Sequence, residues 1–100
     1  MATIPKALPA GFVAYGRTRD FTPENLPDAL KVAHSTKAGT WALLHVLEGN
    51  VLYQLEAPGA GEQLASAGDT VVIEAAVPHR VSFVAPGRFF VEFYRRDDTP

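Results

Sequence analysis

The chain contains no cysteine and a single tryptophan in its 100 residues. The absence of cysteine excludes disulfides and thiolate metal sites and fits a reducing compartment, so a cytoplasmic location is the expectation. Long apolar runs are missing as well. No segment approaches the roughly 20 residues needed to span a bilayer, and the start, MATIPKALPAGF, has no continuous apolar stretch of signal-peptide type, so no membrane partner is expected. Charge of one sign is also scarce. Nine basic residues against eleven acidic ones leave a net charge of −2, with no cluster of lysine and arginine. That removes the electrostatic footprint of a nucleic-acid partner. Helical periodicity is the last absence: nowhere does a helix longer than about two turns fit between the breakers.

What is present is a chain 47% hydrophobic and punctuated by eight glycines and eight prolines. At this length it supports one core and one domain. Residues 1–11 hold two prolines and read as an extended N-terminal arm. FVAYGRT (12–18) is rich in strand formers. Thr22-Pro23 offers an N-cap and first helical position, but Pro27 allows only one short turn. ALKVAHSTK (29–37) reads as a strand with Leu30, Val32 and His34 on its apolar face. TWALLHVLEGNVLYQLEA (40–57) reads as two strands joined by a hairpin turn at Glu48-Gly49-Asn50. Pro58 to Gln63 is a loop by composition, and Ala67-Gly68-Asp69 turns into the strand TVVIE. HRVSFV and RFFVEFY follow, joined at Ala85-Pro86-Gly87-Arg88, and residues 95–100 form a charged tail expected to fray. About seven or eight short strands spaced about ten residues apart predict an all-β barrel or sandwich.

The polar residues inside apolar strands are the candidates for function. An unpaired carboxylate in FFVEFY is costly if buried, so Glu92 needs a partner. A hairpin turn at Pro86-Gly87 places Val81 opposite Glu92 and His79 opposite Tyr94. Glu92 is then diagonal to His79 on the inward face, roughly 7–8 Å away. His34 points the same way from its own strand. Two imidazoles and a carboxylate form a ligand set used at non-haem iron and catalytic zinc centres. The alternative for Glu92 is an ion pair with Arg80, Arg88 or Lys37, or exposure on an edge. His45 shares a face with Trp41, Leu43 and Leu47 and reads more simply as a half-buried, hydrogen-bonded histidine.

The spacing from Gly68 to His79 resembles the second motif of the cupins, G-x5-P-x-G-x2-H-x3-N. Here Glu74, Ala76 and Phe83 occupy its proline, glycine and asparagine slots. Anchoring the first cupin motif on Gly49 puts its glutamate slot at Ala42 and its histidine slots among Ser35 to Ala38, none of which is a ligand. A narrower resemblance is to the TehB/YeaR-like small cupins, described as tellurite-resistance-related. It is carried by YGRTRDFTPENLP, HSTKAGTW, VLEGNVLY, VPHRV and RFFVEFY. That resemblance implies a single-domain cupin-type double-stranded β-helix, a jelly-roll barrel. It implies a divalent metal ion, iron or zinc, held by His34, His79 and Glu92, and a homodimer. Lys37 and Trp41, together with Phe83 and Phe90, are the expected pocket lining.

Two functions follow. One is a mononuclear metal-dependent enzyme, oxygenase-like, acting on a small molecule in the barrel. In it the ion acts as Lewis acid or oxygen activator, and Lys37 offers its charge to a substrate oxygen. The other is a non-catalytic module that binds or senses a metal, an oxyanion or a metabolite in tellurite or stress resistance.

Overall fold

The fold is described from a computed structural model, for residues 4–56 and 61–97. It is all-β, as expected, with one single-turn helix. In chain order the elements are β1 (Phe12–Arg17), α1 (Asp28–Lys31), β2 (Trp41–Leu55), β3 (Glu62–Ser66), β4 (Thr70–Ile73) and β5 (His79–Arg96). All strand pairs are antiparallel. β2 is central and pairs with β5 along its whole length, from Trp41↔Tyr94 to Leu55↔His79. On its other side β4 lies beside the first half of β2 and β3 beside the second. β1 flanks the far end of β5. The sheet is open rather than closed on itself.

Two expected hairpins are therefore absent. Glu48-Gly49-Asn50 and Pro86-Gly87 have turn-like composition, yet each lies inside one long strand. The reason is where the two segments meet. Glu48 pairs with Arg88 and Asn50 with Ala85, with register irregularities on both sides. Gly49, at φ +72°, and Gly87 pack backbone against backbone. A Cβ on Gly49 would sit 2.8 Å from the Gly87 Cα and overlap the Pro86 carbonyl, and one on Gly87 would overlap the Glu48 carbonyl. These glycines serve a close crossing of two strands, not a reversal of one.

The crossing also explains why β2 looks apolar on both faces. Its buried residues are Ala42, Leu44 and Val46 before the irregularity and Val51, Tyr53 and Leu55 after it. The inward set shifts from even to odd positions across the bulge, so the period of two is reset mid-strand.

The strand expected over residues 29–37 is also corrected. Asp28–Lys31 forms a helical turn, with Asp28 in its first turn ion-paired to Lys31 at 3.2 Å. Pro27 precedes it in extended conformation, and no neighbouring strand pairs with this segment to hold it extended. Only His34 makes a β-bridge, to His79. Phe21 makes a second bridge, to Phe89, and Phe21 and Leu26 are buried in the core. The segment from Thr18 to Thr36 thus joins the edge of β5 at both of its ends, at Phe89 and at His79, with Phe21 and Leu26 turned into the core between them. At the other end, Arg95 and Arg96 are not a frayed tail but pair with Val13 and Phe12 of β1. Parts of four expected features lie outside the described residues: the arm at residues 1–3, the end of the expected hairpin at 57, the loop at 58–60 and the tail at 98–100. None of the described helices is long and apolar enough to cross a membrane.

The crossing predicts an asymmetry among glycines. Gly49→Ala and Gly87→Ala should each cost at least about 2 kcal/mol, because backbone rather than a flexible side chain occupies the space. Gly16→Ala, with nothing within 4 Å of its Cβ position, should change stability by about 0.5 kcal/mol or less. Urea denaturation of the three variants checks this, and equal midpoints would contradict the crossing.

Candidate functional site

The segment from Thr18 to Thr36 does not lie flat on the sheet. Between them is a cavity of about 300 Å³, walled by apolar side chains such as Phe21, Leu30, Ile73, Val81, Phe89 and Val91. His34 and His79 line it together. Each donates its backbone N–H to the other's carbonyl, at 2.9 and 2.8 Å. That exchange holds the rings edge to face, with centroids 4.3 Å apart. His79 is 2% exposed, and Tyr53 packs on its ring at 4.9 Å. Burial pushes His79 down from 6.5 to about 4, against a bond to the Val77 carbonyl that opposes the shift; neighbouring His34 adds to it. Burial pushes the Tyr53 phenol up.

In each ring Nδ1 is turned back to a backbone carbonyl two residues earlier. His34 Nδ1 lies 2.9 Å from the Val32 oxygen and His79 Nδ1 lies 3.0 Å from the Val77 oxygen. A carbonyl only accepts, so Nδ1 carries the proton in both.

Glu92 does not join them. With no turn at Pro86-Gly87, Glu92 lies thirteen positions beyond His79 in the same strand, and the odd separation puts it on the opposite face. It pairs with Leu43, whose neighbours Ala42 and Leu44 point into the core. On that outer face its Oε1 accepts a bond from the Tyr94 hydroxyl at 2.7 Å and lies 3.1 Å from His45 Nε2. The Tyr94 hydroxyl is the main reason that its carboxyl is held below the usual range; His45 and Arg17 add to the effect. None of the expected partners Arg80, Arg88 and Lys37 forms an ion pair with it, and the two arginines are engaged elsewhere. Arg80 pairs with Glu56, and Arg88 with Glu48 and Asp20.

The expected pocket residues also lie elsewhere. Lys37 is exposed at a turn. Trp41 packs edge to face on Phe12, outside the cavity. Phe90 is on the outer face, with His45 stacked at 4.7 Å and the Arg17 guanidinium at 3.7 Å. Phe83 is half-buried, beside Phe89 at 5.4 Å, but does not reach the cavity. Sequence reasoning missed Phe21, Leu30 and Phe89 as the actual walls. The alternation of Phe89, Val91 and Phe93 was a visible signal for β5, and Leu30 shared the expected apolar face of His34 without being named as a wall; nothing local marked Phe21.

A three-ligand metal centre does not fit this arrangement. The cavity offers two imidazole nitrogens and no carboxylate. Among the described residues no group of three histidine, aspartate or glutamate side chains comes together. Catalytic zinc sites use three protein ligands.

A family model, the TehB-like domain, matches residues 16–91. The chain belongs to the TehB-like domain family. Among solved structures, a protein from E. coli (strain K12) is similar with a TM-score of 0.82 at 19% identity, over 92% of this chain and 98% of that one. TehB from Haemophilus influenzae is similar with a TM-score of 0.77 at 26% identity. That match covers 87% of this chain but only 32% of TehB, so this TehB-like domain spans about a third of that protein's length. KdgF from Halomonas sp. shares the fold more distantly, with a TM-score of 0.52 at 15% identity, over 86% of this chain and 67% of that one. No curated protein matches the chain.

Two titrations test the two faces. For His79 the folded value lies below the unfolded one, so its stabilising effect is complete above about pH 6.5 and is lost as pH falls toward about 4. Between pH 7 and 5 the loss amounts to about 2 kcal/mol. Urea denaturation should show that slope in the wild type and its removal in His79→Gln. On the outer face, Tyr94→Phe should raise the Glu92 carboxyl midpoint, read by carbon-detected NMR titration; an unchanged midpoint would mean that the phenol does not hold the carboxylate.

Proposed function

We propose that this TehB-like domain is a small-molecule-binding module of cupin type, with its ligand held between the sheet and the Thr18–Thr36 segment. The observation that carries this reading is the cavity itself. It is enclosed mostly by apolar core side chains, it has two polar ring edges at one place, and at about 300 Å³ it matches the lower range of small-ligand sites. Apolar walls supply the affinity, and the imidazole pair supplies orientation.

The binding role is favoured over a metal-dependent enzyme for a stated reason. The enzyme reading needs Glu92 beside His34 and His79, and the pleat of β5 carries Glu92 to the other face. No reaction step is therefore assigned. The likeness to KdgF and to the E. coli protein, at 15% and 19% identity, supports the cupin-type architecture only as a fold.

Ligand-observed and protein-observed NMR with phenol, indole and toluene tests the reading. Shifts should concentrate at Leu30, His34, Ile73 and Val91 and saturate at millimolar concentration or below. Shifts confined to the outer face, or none with any probe, would remove it.

A further inference from the structure

The cavity's hydrogen-bonding groups are almost all of one kind. Both imidazoles spend their Nδ1–H on backbone carbonyls. What remains on each ring is Nε2, which in the neutral tautomer is an acceptor, and no described side chain or backbone group bonds to it. The hydroxyls on the cavity wall are spent too. Thr18 Oγ1 donates to the Arg19 carbonyl at 2.8 Å and accepts the Val91 N–H at 3.0 Å. Thr36 Oγ1 donates to the Thr40 carbonyl at 2.6 Å. No lysine or arginine lines the cavity, and Ser35, at its exposed side, is the one lining hydroxyl whose proton is not already given to a carbonyl.

We propose that this cavity selects neutral small molecules that donate an O–H or N–H from an apolar body, such as a phenol or an azole, and rejects oxyanions. The inference rests on the small-molecule reading above and narrows it. A donor entering the cavity meets two lone pairs that otherwise have no partner. An anion meets the same lone pairs, no cation and a low-dielectric wall, and it loses its hydration without replacement. With each Nδ1–H given to a backbone carbonyl, the two rings have only Nε2 left to offer a ligand. A carboxylate or tellurium oxyanion is thus the wrong partner for this site.

The test compares phenol, its isostere toluene, and benzoate, titrated by NMR at pH 7.5 into untagged full-length protein dialysed against EDTA. His34→Phe and His79→Phe are titrated alongside, each accepted only if its amide spectrum stays dispersed. Each keeps a ring and removes the acceptor. The phenol-to-toluene affinity ratio should fall roughly fivefold or more in at least one variant, the worth of one hydrogen bond. Toluene should bind as well as before, and benzoate should bind weakest throughout. A ratio unchanged in both variants overturns the donor selection while leaving the binding reading intact. Benzoate binding tightest, or phenol binding only after zinc is added, also overturns it. Failure of all three ligands to bind removes the small-molecule reading itself.

Discussion

The pairing of β2 with β5 is the interaction on which the rest depends. Two strands of 15 and 18 residues run antiparallel from end to end, and β1, β3 and β4 attach to their flanks. A ribbon of that length stays regular only where neither backbone is obstructed. At its middle, Glu48–Asn50 cross Ala85–Arg88 at a separation that excludes any Cβ on Gly49 or Gly87. The local cost of unpaired positions and glycine entropy is offset by two uninterrupted runs of ladder hydrogen bonds and by core side chains on both halves.

That ribbon sorts the polar residues. Its inner face receives His79, and the returning segment brings His34 to it through a reciprocal backbone bridge. Both rings are placed by main-chain hydrogen bonds and by packing on each other, with Tyr53 against His79 as well, and their tautomers follow from the carbonyls beside them. The outer face receives His45, Glu92 and Tyr94, with Thr70 Oγ1 3.5 Å from His45 Nδ1. The two groups sit on opposite sides of one pleated layer and are chemically unlike. Inside are two imidazole rings in an apolar wall; outside is a half-exposed carboxylate held by a phenol and an imidazole.

The solved relatives share the architecture far better than they share residues. A TM-score of 0.82 at 19% identity means that many side chains satisfy the same ladder. Within that tolerance the requirements that remain are those set by close approach and burial: small residues where backbones cross, apolar residues at inward positions, and a partner for each polar group inside. This TehB-like domain meets them with few charged groups near its core, which is why its cavity is so uniformly apolar.

The sequence by itself determined the all-β class, through runs of β-branched and aromatic residues between breakers. It also determined the inward direction of His79, through alternation with Val81, and the half-buried, hydrogen-bonded character of His45; the face that His45 takes and the bridge that turns His34 inward came from strand pairing. Tertiary structure alone decided whether Glu48-Gly49-Asn50 and Pro86-Gly87 reverse the chain or let it cross another strand. Both are turn-like in isolation, and the difference lies in a backbone nearly forty residues away. Glu92 followed from that decision. A reversal at Pro86-Gly87 puts it beside His79, and an unbroken strand puts it on the far side of the sheet. Alternation tells which residues of one strand share a face, but only the pairing tells where that strand begins and ends.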